Sequence, residues 1–194
     1  MSAKSNLYSL IIKRRTVRLF KDKKVPLRTI KKIINAARCA PSAANLQFLE
    51  YLVITDENLK EKTFPHLKWA GYIYPKRVPS PGARPSFYIV VLINKTRTKK
   101  PDLRDVGAAC QNILLALVSF NLGGCWIGAL DKKALRKILK IPSIYKIDSI
   151  IACGYPKEFP VLEEKDEVRY WLDEKNVLHV PKRPLKNIFH LNSL

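Results

Sequence analysis

The chain has 194 residues, 47% hydrophobic and 27% charged, with a formal net charge of +20. That length suits one domain with a real core, and the composition excludes a disordered or low-complexity chain. The positive charge invites a polyanion partner, but the lysines are scattered (Lys4, Lys60, Lys99, Lys132, Lys186) rather than gathered on one element, which argues against nucleic-acid binding.

Asn6 to Lys13 reads as a short helix leading into Lys13-Arg14-Arg15-Thr16-Val17-Arg18. Three arginines and a hydroxyl within five residues make either an anion clamp or a basic surface patch. A guanidinium presents a rigid fork of donors to paired oxygens, and a threonine hydroxyl can add another. After the polar stretch 21–24, a helix is expected over 27–39, with Leu27, Ile30, Ile33, Ile34 and Ala37 on one face, stopped by Pro41. Ala40-Pro41-Ser42-Ala43-Ala44-Asn45-Leu46-Gln47 follows. It reads as a capping turn, or as a place where small residues let a flat ligand approach while two amides bond its edge.

Glu50 to Thr55 patterns as a strand, and Asp56 can cap a helix over 57–63. Residues 64–85 carry five prolines, two glycines and the aromatics Phe64, Trp69, Tyr72 and Tyr74, the make-up of a lid or binding loop. Ser86 to Asn94 is apolar on both faces and so a central strand. A long helix over 104–121, apolar almost all round, should start near Asp105 and be buried on several sides, inside the domain or between subunits. A strand over 124–129, a short helix capped by Asp131 and a buried strand over 147–154 come next. Beyond Pro156 the chain becomes charged, with a hairpin over 168–180 and a final short helix after Pro181-Lys182-Arg183-Pro184-Leu185. The whole reads as one α+β domain, a three-layer α/β/α sandwich, in which 157–194 forms a C-terminal extension.

Cys39, Cys110, Cys125 and Cys153 form no C-x-x-C pair and sit in apolar company, as buried free thiols do in a reducing compartment. His66, His179 and His190 are far apart in sequence without ligand spacing, so no metal site is expected. Met1 to Asn6 is polar, unlike a secretory leader, and Asn121, Gly123 and Gly124 break the longest apolar run before it could span a bilayer. A cytoplasmic protein without a membrane segment is expected.

The arginine stretch, the 40–47 segment, and Asp105-Val106-Gly107-Ala108-Ala109-Cys110-Gln111-Asn112 followed by Leu122-Gly123-Gly124-Cys125-Trp126-Ile127-Gly128 together resemble the nitroreductase family of FMN-dependent NAD(P)H oxidoreductases. Gly154-Tyr155-Pro156 and Lys182-Arg183-Pro184-Leu185 extend the resemblance from about residue 8 to 190. The resemblance implies a central mixed, mainly antiparallel sheet and a homodimer that builds each flavin site from both subunits. Arg14, Arg15 and Thr16 would grip the FMN phosphate and polar edge, with Arg18 closing the motif. Asn45 and Gln47 would support the flavin across the dimer interface, and Lys182 and Arg183 would complete the phosphate site. The backbone of Ile127, Gly128 and Ala129 would lie by flavin N5, where an N–H stabilises negative charge on the reduced ring. The extension 157–194 would complete the cofactor site or the dimer.

Thr16 replaces the family's usual serine, and Phe48-Leu49 stands where Pro-Trp often follows the glutamine. The implied reaction is ping-pong hydride transfer from NAD(P)H through flavin N5 to a small organic oxidant such as a nitroaromatic or quinone. The alternatives are the same fold with specialised flavin chemistry, dehalogenation or flavin fragmentation, and a basic nucleic-acid-binding protein. No residue is assigned as a catalytic acid, base or nucleophile. Trp69, Tyr72 and Tyr74 are candidates to stack on substrate, and Asp105 and Asn112 read as a cap and a core hydrogen-bonder.

Overall fold

A computed structural model of the chain describes residues 6–193. Helix α1 (Leu7–Lys13) is capped by Asn6, whose side chain accepts from Tyr8 N at 3.1 Å, and it ends where Arg14 turns extended. Helix α2 (Leu27–Arg38) begins after Pro26 and buries Ile30, Ile33 and Ala37 of the expected face, while Ile34 is half-buried and Leu27, at the first position, is exposed. Strand β1 (Leu49–Ile54), helix α3 (Glu57–Thr63), strand β2 (Phe87–Asn94), helix α4 (Leu103–Ser119), strand β3 (Gly123–Ile127), helix α5 (Lys132–Ile138) and strand β4 (Tyr145–Gly154) follow.

Strands β1 to β4 form one sheet in the order β1-β2-β4-β3, every neighbouring pair antiparallel. Every residue of β2 is buried, as an apolar run covered on both faces requires. Side-chain alternation assigns the two faces. Tyr88, Val90, Leu92, Cys125, Ile127, Ile147 and Ile150 share one core with Val17, Phe20, Trp69 and Leu135. Phe87, Ile89, Val91, Ile93, Ile151 and Cys153 share the other with α2 and α4. A bulge between Val91 and Leu92 shifts the register against β4. The three-layer α+β sandwich read from the sequence is therefore the architecture.

The extension carries a second small sheet in the order β5-β7-β6, from β5 (Val161–Glu164), β6 (Trp171–Leu172) and β7 (Leu178–Lys182). The β6–β7 hairpin is the expected one, but β7 also pairs in parallel with β5, whose short Val161-Leu162-Glu163-Glu164 sequence does not announce a strand.

Several local expectations are corrected. Strand β3 stops at Ile127, leaving Gly128 and Ala129 outside it. Asp102, not Asp105, caps α4 by accepting from Arg104 N at 2.9 Å. Helix α4 buries one face fully (Val106, Ala109, Cys110, Ile113, Leu114, Leu117) and leaves Ala108, Leu115 and Val118 half-buried rather than enclosed. Cys39 is exposed, while the other three cysteines are buried and all four are free thiols. The final helix is a single 3-10 turn over 185–187. Among the described residues no helix is long and apolar enough to cross a membrane, and no cluster of His, Cys, Asp or Glu could hold a metal ion.

Candidate functional site

The arginine stretch lies extended against β3 because its backbone is pinned at nearly every step. Thr16 makes a parallel bridge to Gly124, Val17 N donates to Gly124 O at 3.1 Å, Phe20 N to Ala83 O at 2.9 Å and Lys21 N to Tyr155 O at 2.8 Å. The N–H groups between these, of Arg18 and Leu19, both donate to Glu158 Oε1, at 2.5 and 3.1 Å. The closeness of this docking explains Gly123, where a Cβ would stand 2.8 Å from Val17 Cβ.

Arg14 and Arg15 are half-buried and line a cleft of about 460 Å³ with Lys13, Gly123, Tyr155 and Phe159. Burial lowers the pKa of Arg14, and burial together with the neighbouring Arg14 charge lowers that of Arg15. Two cations held this close with their hydration reduced favour an anion between them. Arg15 Nε and Arg18 Nε are buried with no acceptor among the described residues, although Arg15 Nη1 donates to Arg14 O. Arg18 stacks its guanidinium on Tyr170, 5.1 Å from the ring centroid, and Tyr170 packs on Tyr72 at 5.0 Å.

The 40–47 segment is a strained loop. Ala44, Asn45 and Gln47 hold left-handed φ angles of 48°, 53° and 48°, uncommon for non-glycine residues and more so for three within four positions. The buried Asp105 over-determines them: its Oδ2 accepts from Ser42 Oγ at 2.8 Å and Ala43 N at 3.0 Å, and Ser42 Oγ accepts from Gln47 N at 3.0 Å. Asp105 thus anchors this loop instead of capping a helix. Asn112 is the core hydrogen-bonder expected, donating to Ala36 O at 3.0 Å. Asn45 and Gln47 remain exposed, so the strain presents two amides to the outside.

One chain does not bring all the expected residues together. The 42–47 loop is tied to Asp105 in the first turn of α4, whereas Arg14 and Arg15 share their cleft with Val118 in its last turn and Asn121 just beyond it. At 1.5 Å per residue, those ends are about 20 Å apart along the helix axis. Lys182 is exposed at the end of β7, and Arg183 is engaged by Asp166 Oδ1 at 2.7 Å.

Ile127 is buried in the strand, while Gly128 and Ala129 emerge from it exposed. The 64–85 segment closes beside them: Leu67 bridges Leu130 and Lys68 N donates to Ala129 O at 3.0 Å. A cavity of about 630 Å³ is walled there by Phe64, Leu67, Trp69, Tyr74 and Val78 with Lys68. Trp69 is a core residue stacked on Phe64, whereas Tyr72 and Tyr74 stay exposed. Sequence reasoning missed Glu158, Arg77 and Tyr170. Only the contacts reveal them, since an isolated acid two residues after Pro156 carries no signal of its own.

A family model described as "Nitroreductase family" matches residues 11–155. An Archaeoglobus fulgidus protein, provisionally named an NADH dehydrogenase/NAD(P)H nitroreductase, is 31% identical over 81% of this chain and 90% of its own. An iodotyrosine deiodinase of Thermotoga neapolitana is 29% identical over 78% of this chain and 89% of its own. Among solved structures, an FMN-dependent nitroreductase from Clostridium difficile superposes with a TM-score of 0.67 at 25% identity, covering 95% of this chain and 98% of that one.

Proposed function

Because this chain belongs to the nitroreductase family, we propose that it is an FMN-dependent oxidoreductase that takes electrons from NAD(P)H and passes them to a small organic oxidant in ping-pong order. The carrying observation is the cleft of Arg14 and Arg15, in which Arg15 Nε is buried with no acceptor among the described residues, on a backbone fixed against β3. Unsatisfied buried donors are costly, and an anionic ligand with several acceptor oxygens removes that cost. The residues therefore fit FMN.

When bound, FMN supplies the redox chemistry, accepting a hydride at N5 and giving it up to the second substrate. Arg14, Arg15 and Thr16 hold the phosphate, with charge-assisted hydrogen bonds that a neutral flavin could not accept at that end. Arg18 meets the polar edge. The backbone N–H groups of Gly128 and Ala129, free of strand pairing, are available to stabilise negative charge developing nearby. Lys182 adds positive charge late in the chain, and Arg183 joins it only by exchanging its Asp166 partner.

Asn45 and Gln47 enter through a homodimer, each from the subunit opposite to the arginine stretch it serves. The opposite ends of α4 support this division, as does the apolar surface left on α1 (Leu7, Tyr8, Ile11, Ile12) and the C-terminal tail (Leu185, Ile188, Phe189). The residue 64–85 segment walls the oxidant pocket. A dehalogenating version of the same chemistry is the second reading, favoured by the relatives named iodotyrosine deiodinase.

The test is the visible spectrum of the purified protein under anaerobic conditions, before and after NADH and then NADPH. Flavin bands that bleach with either donor and return on adding a quinone support the reading and name the donor. A protein that carries no flavin and takes up none when FMN is added contradicts it. Return of the bands with iodotyrosine but not with quinone selects the dehalogenating reading.

A further inference from the structure

Glu158, which also lines the cleft of Arg14 and Arg15, forms a buried ion pair with Arg77 that joins three parts of the molecule. Glu158 is 8% exposed and Arg77 4%. On one side, Glu158 Oε1 accepts the N–H groups of Arg18 and Leu19, which lie between the Val17 N–H held by β3 and the Phe20 N–H held by residue 83. On the other, Glu158 Oε2 lies 3.0 Å from Arg77 Nε, whose N–H is not aimed along that line, so charge rather than a directed hydrogen bond holds the contact. Arg77 sits in the 64–85 segment and spends its two terminal nitrogens on Asn176 of the β6–β7 hairpin, on Oδ1 at 3.2 Å and on the backbone carbonyl at 2.5 Å. A second contact runs beside the first: Arg18 on Tyr170, Tyr170 on Tyr72, and Arg169 over Tyr72 at 5.7 Å.

A buried carboxylate that faces no cation reorients toward water or draws water in. We propose that Arg77 and Glu158 are positioning residues through which the wall of the oxidant pocket sets the geometry of the cofactor-binding arm. Arg77, within the 64–85 segment and next to the cavity-lining Val78, keeps the Glu158 carboxylate in place. Glu158 in turn fixes the backbone that aims Arg18. Cofactor affinity therefore depends on a lid residue that does not contact the cofactor. This rests on the reading that the arm from Arg14 to Arg18 binds FMN.

Three proteins test it: Arg77→Met, Glu158→Gln, and the two combined. Each is stripped of flavin and titrated with FMN by fluorescence quenching, with thermal unfolding recorded in parallel. Arg77→Met strands the carboxylate, so its FMN Kd rises at least tenfold. Glu158→Gln retains an oxygen for the Arg18 and Leu19 N–H groups, so adding it to Arg77→Met recovers at least threefold of the lost affinity. A pair that serves stability alone behaves otherwise: the melting temperature falls in Arg77→Met and recovers in the combined variant, while the FMN Kd of all three stays within twofold of the unmodified protein. If Arg77→Met does not fold, Arg77→Gln takes its place with the same criteria.

An FMN Kd for the Arg77 variant within twofold of the unmodified protein overturns the inference. So does a combined variant that binds no tighter than the Arg77 variant. In both cases the oxidoreductase reading stands. Failure of the unmodified protein to bind FMN removes the reading itself and the inference with it.

Discussion

The docking of the arginine stretch on β3 depends on the absence of one methyl group, which Gly123→Ala would add. The new Cβ would lie 2.7 Å from Val17 Cγ2, 2.8 Å from Val17 Cβ and 3.1 Å from Cγ1. Carbon atoms pack at about 3.5–4.0 Å. A rotamer change at Val17 cannot supply the missing distance, because the Val17 Cβ is itself in the way. The two backbones must separate by about 1 Å, against the Val17 N to Gly124 O hydrogen bond of 3.1 Å. Overpacking of this kind costs about 1–3 kcal/mol. Because Thr16 and Arg18 flank Val17, the same shift displaces the residues proposed to grip the cofactor. Urea unfolding should show a loss of about 1–3 kcal/mol, and the FMN Kd should rise about tenfold for each 1.4 kcal/mol felt by the bound state. Gly128→Ala is the control: nothing lies within 4 Å of its added Cβ, so stability should stay within about 0.5 kcal/mol. Unchanged stability and unchanged FMN affinity in Gly123→Ala would refute the reasoning.

Asp105→Ala removes the acceptor for Ser42 Oγ and Ala43 N and frees a loop with three left-handed residues. Hydrogen bonds to a charged group contribute about 1.5–3 kcal/mol, so urea unfolding should register a loss of that order, smaller in Asp105→Asn; a change below about 0.5 kcal/mol would contradict the anchoring role. His179 lies between Glu163 Oε1 at 2.6 Å and Asp173 Oδ2 at 3.2 Å, and hydrogen bonds to first Glu163 and then Asp173 raise its pKa from the ordinary 6.5. Its contribution is therefore full below pH 6.5 and lost as pH rises through the raised folded-state value. The difference in melting temperature between the unmodified protein and His179→Gln should be widest in mild acid and shrink with rising pH, and a difference that grows with pH would contradict the arrangement.

The layers of the fold were legible because they rest on periodicity. The continuous apolar run and burial of 87–94, and the apolar stripe of Ile30, Ile33 and Ala37, each follow from one segment read alone. What stayed hidden depends on partners distant in sequence. Asp105 sits within the first turn of a helix, where a cap is the local expectation, and only the fold reveals that it serves residues 42 and 43. Strand β5 is two apolar residues followed by two acids, mostly exposed at an edge, so no alternation announces it. Glu158 acts on residues 18 and 19, about 140 positions away, through backbone N–H groups that have no sequence signature. The site followed the same rule. Arg14, Arg15 and Thr16 were visible as a local cluster, whereas the separation of Asn45 and Gln47 from them by the length of α4 was not.

The central claim is that the arginine stretch grips a flavin through its phosphate, and the direct measurement compares FMN with riboflavin, which differs only by lacking that group. Losing charge-assisted hydrogen bonds worth about 2.7 kcal/mol corresponds to about 100-fold in affinity. The flavin-free protein should bind FMN about 100-fold more tightly than riboflavin, and in Arg15→Ala most of that difference should disappear while riboflavin affinity hardly moves. Equal affinity for the two flavins in the unmodified protein, or full preference for FMN retained after Arg15→Ala, would contradict the account.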